Sequence, residues 1–158
     1  MWAYWTLKWL HILAAALYIG GSVANGVAKA LSDRLEDAAA SAHALRIVGW
    51  NNRLLLMPAT GILAATGWWL ARRQDAALLG GWLLVPLVEF AVLTAILLWA
   101  LRCERQLQRL AERGAREGRE LPPEYLRLSR VWAIGGGVAT LLMLAVLFAM
   151  VSKWPVLP

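Results

Sequence analysis

Four long apolar runs, separated by stretches dense in arginine and small polar residues, dominate the chain. They cover residues 2–27, 54–71, 78–101 and 131–152. A helix needs about 20 predominantly apolar residues to cross the hydrocarbon core of a bilayer, and each run has that length or nearly so. A backbone in lipid must satisfy its own N–H and C=O groups, and continuous apolar runs do so as helices. The pattern predicts an all-α fold, an integral membrane four-helix bundle forming one domain over residues 1–158.

The intervening segments carry their own periodicities. Between the first two runs, Asp33 and Glu36 have the spacing of a capping box, and Leu35, Ala38, Ala42 and Leu45 share one helical face. This predicts a short interfacial helix lying on the membrane surface. After the third run, residues 102–120 are rich in Arg, Glu, Gln and Leu and continue that helix into water as a cytoplasmic extension. Arg105, Arg109 and Arg113 repeat at i,i+4, a repulsive column that headgroup phosphates or an acidic partner would relieve. Pro122 and Pro123 end the segment, and the last helix starts around Glu124 with a proline near its first turn. Pro58 and Pro86 free backbone carbonyls within the second and third spans, and Gly20-Gly21, Gly61, Gly67 and Gly135-Gly136-Gly137 mark close helix contacts.

Composition agrees and excludes a soluble domain. Hydrophobic residues make up 60% of the chain and charged residues 16%, against about 45–50% and about 25% in ordinary soluble domains. The net charge of +6 would suggest nucleic acid in a soluble protein. Here the arginines sit between spans, so anionic lipid headgroups are the expected partner and nucleic acid is not. The linker after span one holds Lys29, Arg34, Arg46 and Arg53, and the linker after span three holds Arg102, Arg105, Arg109, Arg113, Arg116, Arg119, Arg127 and Arg130. The opposite side has Lys8, Arg72, Arg73 and Lys153. By the excess of basic residues on cytoplasmic loops, the arginine-rich side faces the cytoplasm and both termini lie in the periplasm of a bacterial inner membrane.

On that topology Trp2, Trp5, Trp9, Trp68, Trp69, Trp82 and Trp154 fall at the outer boundary, and Trp50, Trp99 and Trp132 at the inner one. An aromatic belt accounts for this, and an aromatic-walled pocket is the alternative. The N-terminal run lacks a basic leading segment and is interrupted by Lys8 and His11, so it is expected to stay as a span. With Cys103 as the only cysteine, no intrachain disulfide or thiolate cluster is available.

Polar residues inside spans ask for partners or a purpose. Tyr4, Lys8, His11, Tyr18, Ser22 and Asn25 recur at helical spacing along one stripe of the first span, which must face protein. Glu89 stands alone in the third. His11 lies roughly 13 Å along its helix from Trp2, and Glu89 about 12 Å along its own from Gly81. Their depths match, and a His11–Glu89 pair is expected. His11 is either a packing histidine or an axial ligand to heme iron, the metal-binding candidate; Lys8, Tyr18 and Glu89 complete the candidate cofactor site. His43 falls across the membrane from His11, and Met143 is a conceivable sulfur ligand or a core side chain. No phosphate-binding glycine loop, zinc spacing or Ser-His-Asp set is present.

The segment Trp5-Thr6-Leu7-Lys8-Trp9-Leu10-His11-Ile12-Leu13, with Tyr18-Ile19-Gly20-Gly21, resembles the opening of a group of small bacterial membrane proteins. The group includes HemJ-type protoporphyrinogen oxidases, the membrane domain of CopD-type copper-resistance proteins and a related uncharacterised integral membrane family, which the chain resembles most. The likeness runs loosely along the chain through the Gly81-Trp82-Leu83 opening of span three and the arginine-rich linker. It implies heme b at His11, the position matching the first-span histidine of the Lys-x-x-His pattern. Where HemJ-type proteins carry a functional lysine soon after the Gly-Trp-Leu opening, this chain has Pro86.

Three functions follow. The first is heme b binding through His11 for redox or electron transfer. The second is a non-catalytic accessory subunit of a respiratory or transport complex, within a homo-oligomer or larger assembly. The third is a HemJ-like oxidase.

Overall fold

In the computed structural model, which describes residues 2–73 and 83–152, the chain is helical nearly throughout. Helix α1 spans Trp2–Asp33, α2 Ala38–Asn51, α3 Met57–Arg73, α4 Leu84–Glu117 and α5 Pro123–Ser152, with a π-helical turn over Asn52–Leu56 joining α2 to α3. Among the described residues four helices are long and apolar enough to cross a membrane, α2, the π turn and α3 counting as one of 36 residues. The Gly80-Gly81-Trp82 opening of span three, Lys153 and Trp154 lie outside the described residues.

The short helix expected between the first two spans is α2, with two corrections. It runs into α3 without a break, and its small-residue face, Ala38, Ala42 and Leu45, is buried against α4 instead of lying on lipid. Its N-cap is Asp37, whose carboxylate accepts from the Ala39 N–H at 2.8 Å. The Asp33/Glu36 capping box does not form: α1 runs on to Asp33, whose carboxylate is engaged by α5, and Glu36 sits in the turn with φ 52°. Leu35 is exposed.

The π turn has a local cause. Proline has no N–H and its ring crowds the preceding turn, so Pro58 cannot donate to Leu54, four residues back. The Met57 N–H instead reaches Asn52 O, a five-residue bond. Further on, α4 passes beyond its apolar stretch to Glu117 and stops at Gly118, whose left-handed φ of 61° a residue without Cβ adopts freely.

Helix α1 packs on α3 and α2, α4 packs on α5 and α2, and α1 touches α5. One cluster, Ala14, Tyr18, Leu56, Ala59, Leu93 and Met143, draws on all four spans and fixes mid-bundle. A second, with Leu45, Cys103, Leu107, Ala111, Tyr125 and Trp132, ties α2, α4 and α5 at the arginine-rich end. A Cβ on Gly21 would lie 2.6 Å from Leu56 Cδ1, so that glycine permits a close approach of α1 to the π turn. Outward positions such as Ile12, Ile134, Leu141 and Phe148 are exposed, as lipid-facing side chains should be.

Candidate functional site

The bundle holds two sets of internal polar groups, one toward each end. At the tryptophan-rich end His11 is half-buried, and its Nδ1 lies 2.8 Å from Thr66 Oγ1 on α3. That hydroxyl donates its one hydrogen to the Ile62 carbonyl at 2.5 Å, the usual back-bond of a helical threonine. With its hydrogen on that carbonyl the hydroxyl accepts from the ring Nδ1–H, the tautomer in which Nε2 carries the free lone pair. Gly67 keeps the space beside the ring open: a Cβ there would stand 3.2 Å from His11 Cε1.

The expected His11–Glu89 pair does not form. His11 bonds to Thr66, and among the described residues Glu89 Oε2 is a buried oxygen with no hydrogen-bond partner. Lys8 is exposed, with its ammonium 5.5 Å from the Trp5 ring centroid. Tyr18 is buried in the mid-bundle cluster. Among the described residues no hydrogen bond joins any two of Lys8, His11, Tyr18 and Glu89. Met143 sits in that same cluster as a core side chain, and His43 is exposed on α2.

Around this end Trp2, Trp5, Trp9 and Trp68 are exposed, and Arg72 and Arg73 stack over Trp68 and Trp69 at 4.8 and 4.7 Å. This fits a belt at a membrane interface. The three tryptophans at the other end do not make a belt. Only Trp50 is exposed; Trp99 fills the space left by Gly135, and Trp132 is buried.

The arginine-rich end contains the larger network. Its residues lie at or beyond the ends of the apolar runs and link all four spans. Asn51 Nδ2 donates to the Gly21 carbonyl at 2.9 Å and to Asn25 Oδ1 at 2.7 Å. Asn25 Nδ2 donates to Asn52 Oδ1 at 2.8 Å, and Asn52 Nδ2 to Glu104 Oε2 at 2.5 Å. The Trp132 indole N–H supplies Glu104 Oε1 at 3.1 Å. Asn51 and Asn52 lie side by side where α2 passes into the π turn, and both address the bundle interior.

Beside it, Lys29 pairs with Asp33 and donates to Ser129 Oγ at 2.8 Å. Asp33 accepts from Ser129 at 2.6 Å and from Tyr125 at 2.8 Å. Burial pushes the Glu104 carboxyl up to about 7, against the two donors that hold it down.

The sequence stripe picked out Asn25 but not its partners. A signal for Glu104 was available: it shares a face with Ala100, Leu107, Ala111 and Gly114, which a solvated glutamate would not. The neighbouring arginines masked it. For Thr66 there was none, since threonine is ordinary in a span.

Four long helices with largely apolar outer faces and networks of internal polar groups define a multi-pass α-helical membrane protein. Residues 5–154 match the family of predicted integral membrane proteins known as DUF2269, and the chain belongs to that family. No curated protein and no solved structure matches it.

Proposed function

We propose that this protein binds a b-type heme through His11 Nε2 and serves one-electron transfer at the tryptophan-rich end. The observation that carries the reading is the Thr66 hydroxyl 2.8 Å from Nδ1, which orients the imidazole and leaves Nε2 for a ligand. An oxygen acceptor on the nitrogen away from the metal is the usual companion of a metal-ligating histidine. The donor set suits axial ligation of a heme, not a multi-ligand ion site: among the described residues no group of three or more His, Cys, Asp or Glu converges. Heme, when bound, supplies the redox couple. His11 would hold it, Thr66 would position His11, and the exposed tryptophans would shield its edge at the interface.

Glu89 bears on the choice between this reading and an accessory subunit. Its Oε2 is enclosed within the bundle, not turned outward to a partner chain, and a buried polar oxygen without a donor suggests a ligand group beside it. The likeness of the first-span motif to HemJ-type and CopD-type proteins is part of the same reading. So is the placement in a bacterial inner membrane with both termini periplasmic, which rests on the distribution of basic residues. The exposed arginines nearest the bilayer, such as Arg102 and Arg105, would then meet anionic headgroups on the cytoplasmic face.

The test is the absorption spectrum of the protein purified in detergent. A Soret band that shifts with dithionite, and is lost in His11→Ala while helical circular dichroism is retained, is the expected result. A wild-type protein reconstituted with heme that shows no such band overturns the assignment.

A further inference from the structure

The asparagine chain at the arginine-rich end has a direction. Every amide in it donates toward Glu104: Asn51 to Asn25, Asn25 to Asn52, and Asn52 to the carboxylate. A carboxylate only accepts, and both groups that address this one, Asn52 Nδ2 and Trp132 Nε1, are donors. A protonated Glu104 must instead donate one hydrogen bond. Indole N–H cannot accept it. Asn52 can, through Oδ1, only by turning its amide over. Doing so withdraws Oδ1 from Asn25, which must turn in its place, and Asn51 after it.

We propose that Glu104 is a proton-binding site whose occupancy reverses the polarity of the Asn52–Asn25–Asn51 chain and releases Asn51 from the Gly21 carbonyl. One proton passes from water at the arginine-rich end to Glu104 Oε2. No heavy-atom bond breaks and no electron moves; each amide rotates by half a turn about Cβ–Cγ. Afterwards the Glu104 O–H donates to Asn52, Asn52 to Asn25 and Asn25 to Asn51.

The cost of reversal falls at the far end, where the Asn51 Nδ2 that served Gly21 O at 2.9 Å is replaced by an oxygen. Gly21 is the close approach of α1 to the π turn, so protonation on α4 is read as a loosened contact on α1. The carboxylate form is the one the chain is built for, which opposes the desolvation of Glu104 and leaves both forms within reach near neutral pH.

Other titratable groups here are committed elsewhere. On α1, Lys29 and Asp33 bond to each other and to Ser129, and Tyr125 of α5 is bonded to Asp33. His43, Arg46 and Arg53 on the α2–α3 helix, Arg127 and Arg130 on α5, and Arg102 and Arg105 on α4 are exposed. Cys103, buried next to Glu104, is a thiol whose ionisation burial and the Glu104 charge oppose.

The experiment is nuclear magnetic resonance of asparagine side-chain amides in the full-length, ¹⁵N-asparagine-labelled protein in lipid nanodiscs, titrated across the neutral range. The amide signals of Asn25, Asn51 and Asn52 are expected to shift together with one midpoint. In Glu104→Gln, whose own amide must donate to Asn52, they are expected at the wild-type low-pH positions and independent of pH. In Asn25→Leu the Asn52 signal still titrates and the Asn51 signal does not. A shift confined to Asn52 in the wild type, separate midpoints, no shift, or a titration that persists in Glu104→Gln overturns the proposal. If Glu104→Gln does not fold, the wild type and Asn25→Leu decide it. No heme is required, so the outcome is independent of the function proposed above.

Discussion

The two ends of the bundle use polar residues in opposite ways. At the arginine-rich end the internal polar groups answer one another: three asparagines, Glu104 and Trp132 form one chain, and Lys29, Asp33, Ser129 and Tyr125 form a second set. At the tryptophan-rich end the internal groups are few and incompletely paired. Among the described residues His11 makes one side-chain bond, through Nδ1, and Glu89 Oε2 has no partner. A buried polar group left without a partner costs free energy, so a satisfied network suggests structure and an unsatisfied pair suggests a ligand. The difference separates an end that holds the helices in register from an end with binding capacity to spare.

Substitutions should therefore differ in kind between the two ends. The largest loss of stability is expected for Lys29→Ala, which leaves the Asp33 carboxylate without its ammonium partner. Unpairing a buried ion pair costs about 3 kcal/mol or more. Unfolding by dodecyl sulfate, followed by circular dichroism, measures it; a loss similar to that of a surface lysine would dissolve the contrast.

Next comes the pH dependence of stability. The Glu104 carboxyl is raised from 4.5 to about 7 in the folded protein, so across that window the native state holds more proton than the unfolded chain. Stability is then greatest below the unfolded value and falls as pH rises through about 7. Unfolding midpoints measured against pH should show this fall in the wild type and lose it in Glu104→Gln. A rise over the same window contradicts the assignment.

Thr66→Val should act in the other currency. It removes the acceptor for His11 Nδ1–H, and losing such a support typically weakens metal affinity ~10-fold or more. Heme titration measures this, and an unchanged affinity would remove Thr66 from the site. The smallest expected effect is on the stability of Glu89→Leu. Replacing an unpartnered polar group with an apolar one is near neutral or stabilising, within about 1 kcal/mol. A large destabilisation would mean that Glu89 is part of the packing and would weaken the case for a ligand beside it.

Much of the fold was legible in the sequence. Spans of apolar residues, the extension of α4 to Glu117 and the proline start of α5 all follow from local pattern, because lipid and backbone hydrogen bonding constrain a helix without reference to its neighbours. The polar stripe of the first span also held in part, with Tyr18 and Asn25 buried and Lys8 exposed. What failed were pairings. Depth along two helices does not fix their rotation: His11 turns toward Thr66, and no hydrogen bond joins it to Glu89.

By itself the sequence determined that this chain lives in a membrane, where its helices run and which end carries the charge, since each is a property of a segment in its solvent. Only the tertiary structure decided the rest. It turned the Ala38, Ala42 and Leu45 face of α2 onto α4, because their small residues permit close packing. It turned Asn51 and Asn52 inward together, toward Asn25 and Glu104 on other helices. Packing placed Glu104 between an asparagine and a tryptophan from different helices. The partner of His11 came last, because it is a hydroxyl fifty-five residues away on another helix.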